Sequence, residues 1–191
     1  MVYWFQSLSL KTRFLGVLLL LFPVLVFHWL LVSAPWASVR LLTLSGGWGL
    51  PDAQWWYTPA QLTDTLAAWG DAGRQLYLTV LWPTEAGFLL SYAGFLMAAT
   101  LYLLKKANPR SPWWYLLPLI PLAAAACDVL ENTAVAFSAL WGPGPWLWAA
   151  PFCAAGKWTA ASLSGLVLIA GSAATLIRAG LARRRPRGYT D

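Results

Sequence analysis

The chain has 191 residues, of which 59% are hydrophobic and 10% charged, with a formal net charge of +6. A soluble globular domain carries roughly 25% charged residues, so this composition excludes that class and favours an all-α, multi-pass membrane protein. The positive charge does not indicate a nucleic-acid partner, because the basic residues stand in short runs beside apolar segments, which is a pattern set by membrane topology.

Four apolar segments are long enough to cross a bilayer, since about 20 helical residues span a hydrocarbon core of about 30 Å. The first segment exceeds the core of a typical signal peptide, and Pro35 directly after it makes a poor cleavage point. We therefore predict a single membrane domain, residues 1–182, built as a four-helix bundle with spans at about 14–34, 76–104, 113–140 and 148–178.

The positions of the basic residues predict the orientation of these spans. Of the thirteen Lys and Arg residues, ten lie before span 1, between spans 2 and 3, or from the end of span 4 onward. The positive-inside rule assigns that side to the cytoplasm. We therefore predict cytoplasmic termini, a location in the cell's inner (plasma) membrane, and a basic tail, 183–191, that contacts anionic lipid.

The connection between spans 1 and 2, residues 35–75, is predicted to lie on the outer side, and we refer to it as the 35–75 segment. Residues 58–61 match a capping box with proline at the first helical position, and the apolar stripe that follows ends at Gly70. We predict a helix over Pro59–Trp69 that lies on the outer face as a lid or an interfacial anchor. A linker that follows the membrane surface is the alternative.

Ionisable side chains inside membrane spans cost about 2.5–3.5 kcal/mol each, so each requires a reason. A helical rise of about 1.5 Å per residue places five of them in the outer half of the membrane. With a neighbouring asparagine on the same face of span 3, they make up the predicted ligand-binding or proton-carrying group: His28, Glu85, Asp128, Glu131, Asn132 and Lys157.

Two interpretations of this group remain open. In the structural one, Lys157 pairs with Asp128 or Glu131 and holds spans 3 and 4 together, with small residues at the contact, Ala123–Ala126 and Ala161-x-x-x-Gly165. In the functional one, three carboxylates and one ammonium leave a net charge of −2. A site of that charge should hold a proton, form an imidazolium or bind an outside cation.

Metal and disulfide chemistry have little support in the sequence. No H-x-x-x-H or E-x-x-H spacing accompanies the candidate donors, so we expect no metal site. Nothing in the sequence names a cofactor. Cys127 and Cys153 form no C-x-x-C pair, and we predict free buried thiols without disulfide exchange.

Several short motifs lie in and between the spans: Leu50-Pro51-Asp52, Tyr57-Thr58-Pro59, Gly70-x-x-Gly73-Arg74-x-x-Tyr77, Asp128-x-x-Glu131-Asn132 and Lys157-Trp158. Over residues 14 to about 180 the chain resembles a family of small four-span membrane proteins, known chiefly as uncharacterised bacterial sequences. This resemblance implies that the 35–75 segment and the intramembrane charges form one recurring unit, and it implies no activity.

A weaker likeness is to the four-span fold of sterol isomerases and sigma-2-type receptors. In that fold acidic residues in an apolar cavity meet a cationic or cation-like group. The likeness implies such a part for Glu85, Asp128 and Glu131.

Three classes of function follow from these observations. The first is a membrane protein that binds a lipid-like or cationic small molecule in the acidic pocket. The second is an accessory subunit that assembles as a homo- or hetero-oligomer within the lipid bilayer. The third is an enzyme that uses two carboxylates as acid and base on a lipid-soluble substrate. A monomeric carrier is disfavoured, because the halves of the chain contain no visible inverted repeat.

Overall fold

The computed structural model describes residues 9–184, and these residues fold into helices without a strand. Four helical stretches are long and apolar enough to cross a membrane: Leu10–Val32, Pro59–Ala107, Pro112–Trp141 and Trp146–Arg178. They correspond one to one to the four predicted spans. Of the predicted basic tail, residues 183 and 184 still belong to the last helix, and residues 185–191 lie outside the described part of the chain.

Six α-helices make up most of this part of the chain, and we number them in order: α1 Leu10–Val32, α2 Ser38–Leu44, α3 Pro59–Leu76, α4 Trp82–Ala107, α5 Ile120–Trp141 and α6 Trp146–Arg184. Shorter helical turns join several of them. These are 3₁₀ turns at Pro51–Ala53 and Pro112–Leu119, and a π-helical turn at Tyr77–Leu81 that links α3 to α4.

Local sequence explains where these helices begin and bend. The predicted capping box is present: the Gln61 amide donates to Thr58 Oγ1 at 3.2 Å, and the Thr58 amide donates to Gln61 Oε1 at 2.7 Å. Gly70 has φ of +57°, a conformation that suits glycine. The prediction that the helix stops at Gly70 is wrong in one respect, because the chain kinks there and at once continues as a helix into span 2.

The 35–75 segment packs against the ends of the long helices and does not lie loosely on a surface. Leu41, Tyr57, Leu62 and Trp69 are among its buried side chains, and they share one apolar cluster with Val135 and other residues of α5 and α6. Burial on this scale favours the predicted lid over a surface linker. We call the end of the helices under this segment the acidic end, and the end where α1 begins and α4 finishes the basic end.

The glycine at which α5 and α6 meet is not the predicted one. A β-carbon at Gly156 would lie 3.0 Å from Cys127 Sγ, so these two helices come together at this glycine. Gly165, which was predicted to lie at the contact, has no atom within 4 Å of such a position. The pairing of α5 with α6 is what brings the charged residues of spans 3 and 4 together. Both cysteines are free, as predicted, but each is only half-buried rather than buried.

Candidate functional site

A buried polar cluster lies at the acidic end, where α4, α5, α6 and the 35–75 segment meet. Asp128, Glu131 and Asn132 share one face of α5, because residues at i, i+3 and i+4 of a helix are neighbours. They point toward Lys157 of α6, and all four side chains are buried. The structure therefore brings together four of the six predicted site residues directly.

Lys157 is the cationic centre of this cluster. Its Nζ lies 2.7 Å from Glu131 Oε2 and 3.3 Å from Asp128 Oδ1, so the lysine pairs with both acids that the sequence offered as alternatives. A pair of charges in a place of low dielectric is stable only when its other polar atoms also find partners. The surrounding side chains provide these partners.

Two tyrosines complete the hydrogen bonds around the α5 residues. One lies just before α3, and the other lies in the π-helical turn that follows α3. The Tyr57 hydroxyl, just before α3, donates to Glu131 Oε1 at 3.0 Å. Burial, reinforced by the Glu131 charge, raises the pKa of Tyr57 well above its ordinary value, so this hydroxyl remains a donor. The Tyr77 hydroxyl donates to Asn132 Oδ1 at 2.7 Å, and the Asn132 amide donates to Asp128 Oδ1 at 3.0 Å.

Asp52 is the site residue that sequence analysis missed. It lies in the 3₁₀ turn Pro51–Ala53, and its carbonyl oxygen accepts hydrogen bonds from Lys157 Nζ at 3.0 Å and from Trp158 Nε1 at 3.1 Å. Its carboxylate Oδ2 is 4.0 Å from Lys157 Nζ. The cost of burying a charge marks only the ionisable residues inside membrane spans, so it gives no signal for an acid in the connection. The motif Leu50-Pro51-Asp52 was the available signal.

Glu85 closes the cluster from α4, and it differs from the other acids in its partners. Glu85 is 4% exposed, yet its Oε2 receives no hydrogen bond from a donor of the described residues, and neither does Asp52 Oδ1. One proton shared between these two carboxyl groups would supply such a bond. One carboxylate oxygen each from Asp52, Glu85 and Asp128 lie within 4.8 Å of one another. Three like charges at this separation repel each other unless something positive lies between them.

The charge balance of the cluster is more negative than the sequence predicted. When every group is ionised, the four carboxylates and the single ammonium of Lys157 leave a net charge of −3, one more negative charge than predicted, because Asp52 joins the cluster. Glu131 and Asp128 are compensated by Lys157 and by hydrogen bonds. The uncompensated charge is therefore concentrated on Asp52 and Glu85.

His28 lies outside the cluster, contrary to the expectation that it would join the polar group. Its side chain is exposed on α1, and its ring packs near that of Phe88, with 6.0 Å between the ring centroids. Within residues 9–184 no ion pair joins the imidazole to a carboxylate. The helix α1 is apolar on all sides, so its sequence carries no signal for which face turns inward.

The oxygen donors of the cluster match the chemistry of a hard cation. Carboxylate oxygens bind Ca²⁺ at about 2.3–2.6 Å, so one such ion can contact oxygens up to about 5 Å apart, whereas Mg²⁺ at about 2.0–2.1 Å requires about 4 Å. The separation of at most 4.8 Å between the oxygens of Asp52, Glu85 and Asp128 is compatible with the larger ion. The expectation of no metal site was based on the spacing of donor residues along the chain, and Asp52 was not among those donors.

Comparison with protein-family models, with curated proteins and with solved structures found no match to this chain. The two family resemblances therefore stay predictions.

Proposed function

We propose that this protein is a multi-pass protein of the bacterial inner membrane, with cytoplasmic termini, that binds a cation in the cluster of Asp52, Glu85 and Asp128. The observation that carries the proposal is the pair of buried carboxylate oxygens without hydrogen-bond partners, Asp52 Oδ1 and Glu85 Oε2. Leaving buried charged groups unpaired costs more than the roughly 1–3 kcal/mol of a neutral group, and a bound cation removes that cost.

The degree of burial favours an ion over a larger ligand. Glu85, Asp128 and Lys157 are at most 6% exposed, so no lipid-soluble substrate or amine-bearing molecule reaches them without displacement of the 35–75 segment. The side chain of Asp52 is 15% exposed and is the most accessible of the four acids. Asp52 is therefore where an ion would first make contact, from the side of the 35–75 segment.

Thermal unfolding of the purified full-length protein in detergent tests this proposal. After chelator treatment, Ca²⁺ at about 100 times its dissociation constant should stabilise the protein by about 2.7 kcal/mol, and Mg²⁺ should act less. Glu85→Gln should abolish the Ca²⁺ effect. It should also stabilise the ion-free protein by roughly 1 kcal/mol, because it removes one uncompensated negative charge.

The matched control is Asp64→Asn, which neutralises an exposed acid of α3 and should leave the Ca²⁺ response unchanged. A proton is the alternative cation. Stabilisation by acidification alone, lost in Glu85→Gln and without any metal response, would assign the cluster to proton uptake. If neither metal ions nor acidification stabilise the wild-type protein more than Glu85→Gln, the cation proposal fails.

A further inference from the structure

A groove of about 860 Å³ opens at the basic end, far from the acidic cluster. Its walls are the last turns of α4, the connection to the 3₁₀ turn Pro112–Leu119, and the second half of α6. The volume is within the range of roughly 300–1,000 Å³ that is typical of ligand sites. No part of the proposed cation function uses this groove.

The floor of the groove is apolar, and its mouth is basic. Leu103, Leu117 and Val167 line it, and the small side chains of Ala170 and Ala174 leave room along α6. Arg110 and Arg178 line the same groove at its basic end, and both are exposed. An occupant must therefore combine an apolar tail with an anionic head.

A hydrogen bond to the end of α4 holds Arg178 in place at the groove. One of its guanidinium N–H groups donates to the Ala107 carbonyl at 2.9 Å, which fixes the side chain across the end of α4. A guanidinium has five N–H donors in a planar fork that matches a phosphate, so this single bond leaves donors for a ligand. Arg178 is therefore positioned before any ligand arrives.

No acid in the described part of the chain lies near these two arginines. The six acidic residues within 9–184 are in the 35–75 segment or in the cluster at the acidic end: Asp52, Asp64, Asp71, Glu85, Asp128 and Glu131. The positive charge at the groove is thus not neutralised by a carboxylate of these residues. Basic pockets between membrane helices on the cytoplasmic side are typical sites for anionic lipid headgroups.

We propose that this groove binds one anionic phospholipid, with its phosphate on Arg110 and Arg178 and an acyl chain along Ala170 and Ala174. The apolar floor accommodates the chain, and the arginines select the charge of the headgroup. This site is independent of the cation cluster, since the two share no residue.

Native mass spectrometry of the full-length protein tests the proposal. The protein is exchanged into detergent that contains equal amounts of phosphatidylglycerol and phosphatidylcholine with identical acyl chains. We expect one phosphatidylglycerol to be retained in about tenfold excess over phosphatidylcholine, because both lipids offer the same phosphodiester but the two guanidinium groups repel the choline ammonium of phosphatidylcholine. The double variant Arg110→Gln, Arg178→Gln should lose this preference.

The control for charge is Lys106→Gln, which removes an exposed base at the same end that does not line the groove. It should retain the wild-type preference. A preference as weak as that of the double variant would assign the selectivity to diffuse surface charge. Equal retention of both lipids by the wild type would show that the groove does not select for charge. Either result overturns the proposal.

A second pair of variants changes the shape of the groove instead of its charge. This pair tests the proposal even if the double variant does not fold. Ala174→Phe fills the groove and should reduce the retained phosphatidylglycerol about tenfold. Ala173→Phe, on the neighbouring exposed position outside the groove, should not. Soluble glycerol phosphate should not compete with the lipid. Equal behaviour of the two Phe variants, or effective competition by glycerol phosphate, contradicts a lipid site.

Discussion

The two ends of the long helices carry opposite charges, and they bury those charges to very different degrees. At the acidic end Glu85, Asp128, Glu131 and Lys157 are almost entirely buried beneath the 35–75 segment. At the basic end Arg13 is buried, whereas five other basic side chains are exposed: Lys11, Lys105, Lys106, Arg110 and Arg178.

The lengths of the connections explain this difference. The segment between α1 and α3 is long enough to fold back over the helix ends, whereas only residues 108–111 join α4 to the next 3₁₀ turn. Charged side chains that a connection covers need a partner for each polar atom, whereas charged side chains that are exposed to water do not. The acidic end consequently contains a network of hydrogen bonds and ion pairs, whereas the basic end contains an open groove.

The comparison predicts the largest effect for Lys157→Met. This change leaves Asp128 and Glu131 buried without their cation and should destabilise the protein by about 3–5 kcal/mol. Lys106→Met at the basic end should change stability by no more than about 0.5 kcal/mol, since that side chain is exposed. Denaturant or thermal unfolding in the same detergent measures both. Similar losses for the two variants would contradict the contrast between the ends.

A smaller loss is expected when one hydrogen bond of the cluster is removed. Tyr57→Phe deletes the donor to Glu131 Oε1, and hydrogen bonds to charged groups contribute about 1.5–3 kcal/mol. Tyr115→Phe removes a hydroxyl from an exposed ring near the basic end and should be close to neutral. Unfolding curves of the two variants measure this difference in stability. If Tyr57→Phe were as stable as the wild type, the 35–75 segment would not hold Glu131 in place.

The smallest of these effects concerns the kink that positions the 35–75 segment. Gly70→Ala forces a side chain into a left-handed conformation and should destabilise by about 1–2 kcal/mol. Gly165→Ala, in a straight part of α6 with open space around it, should instead stabilise by roughly 0.5–1 kcal/mol. The melting temperature should therefore fall in Gly70→Ala and rise in Gly165→Ala. A stabilising Gly70→Ala would show that the kink is not required.

Several features of the site were predictable because they depend on residues near each other in the chain. The capping box at Thr58 and Gln61 is formed within one turn, and the common face of Asp128, Glu131 and Asn132 follows from helical spacing. The pairing of Lys157 with these acids was predictable for a different reason. It is the single cation predicted within a span, and a buried cation requires a carboxylate.

Other features were not predictable from spacing. Asp52 reaches the cluster only because the 35–75 segment folds inward around Tyr57 and Trp69, and no local pattern specifies that path. The positions of Glu85 and His28 depend on how α4 and α1 rotate against their neighbours. Glu85 turns inward and His28 outward, although both belong to long apolar helices in which neither face is marked.

The sequence by itself determined the four long apolar helices, the interruption of the helix at Gly70 and the inventory of charges, because these depend on local composition and on the cost of burying charge. Only the tertiary structure decided which other residues join Lys157 and its α5 partners in the cluster. It added Asp52, left out His28 and concentrated the unpaired oxygens on Asp52 and Glu85. The physical reason is that burial and distance are properties of packed helices and a folded connection, which are set by contacts between residues far apart in the chain.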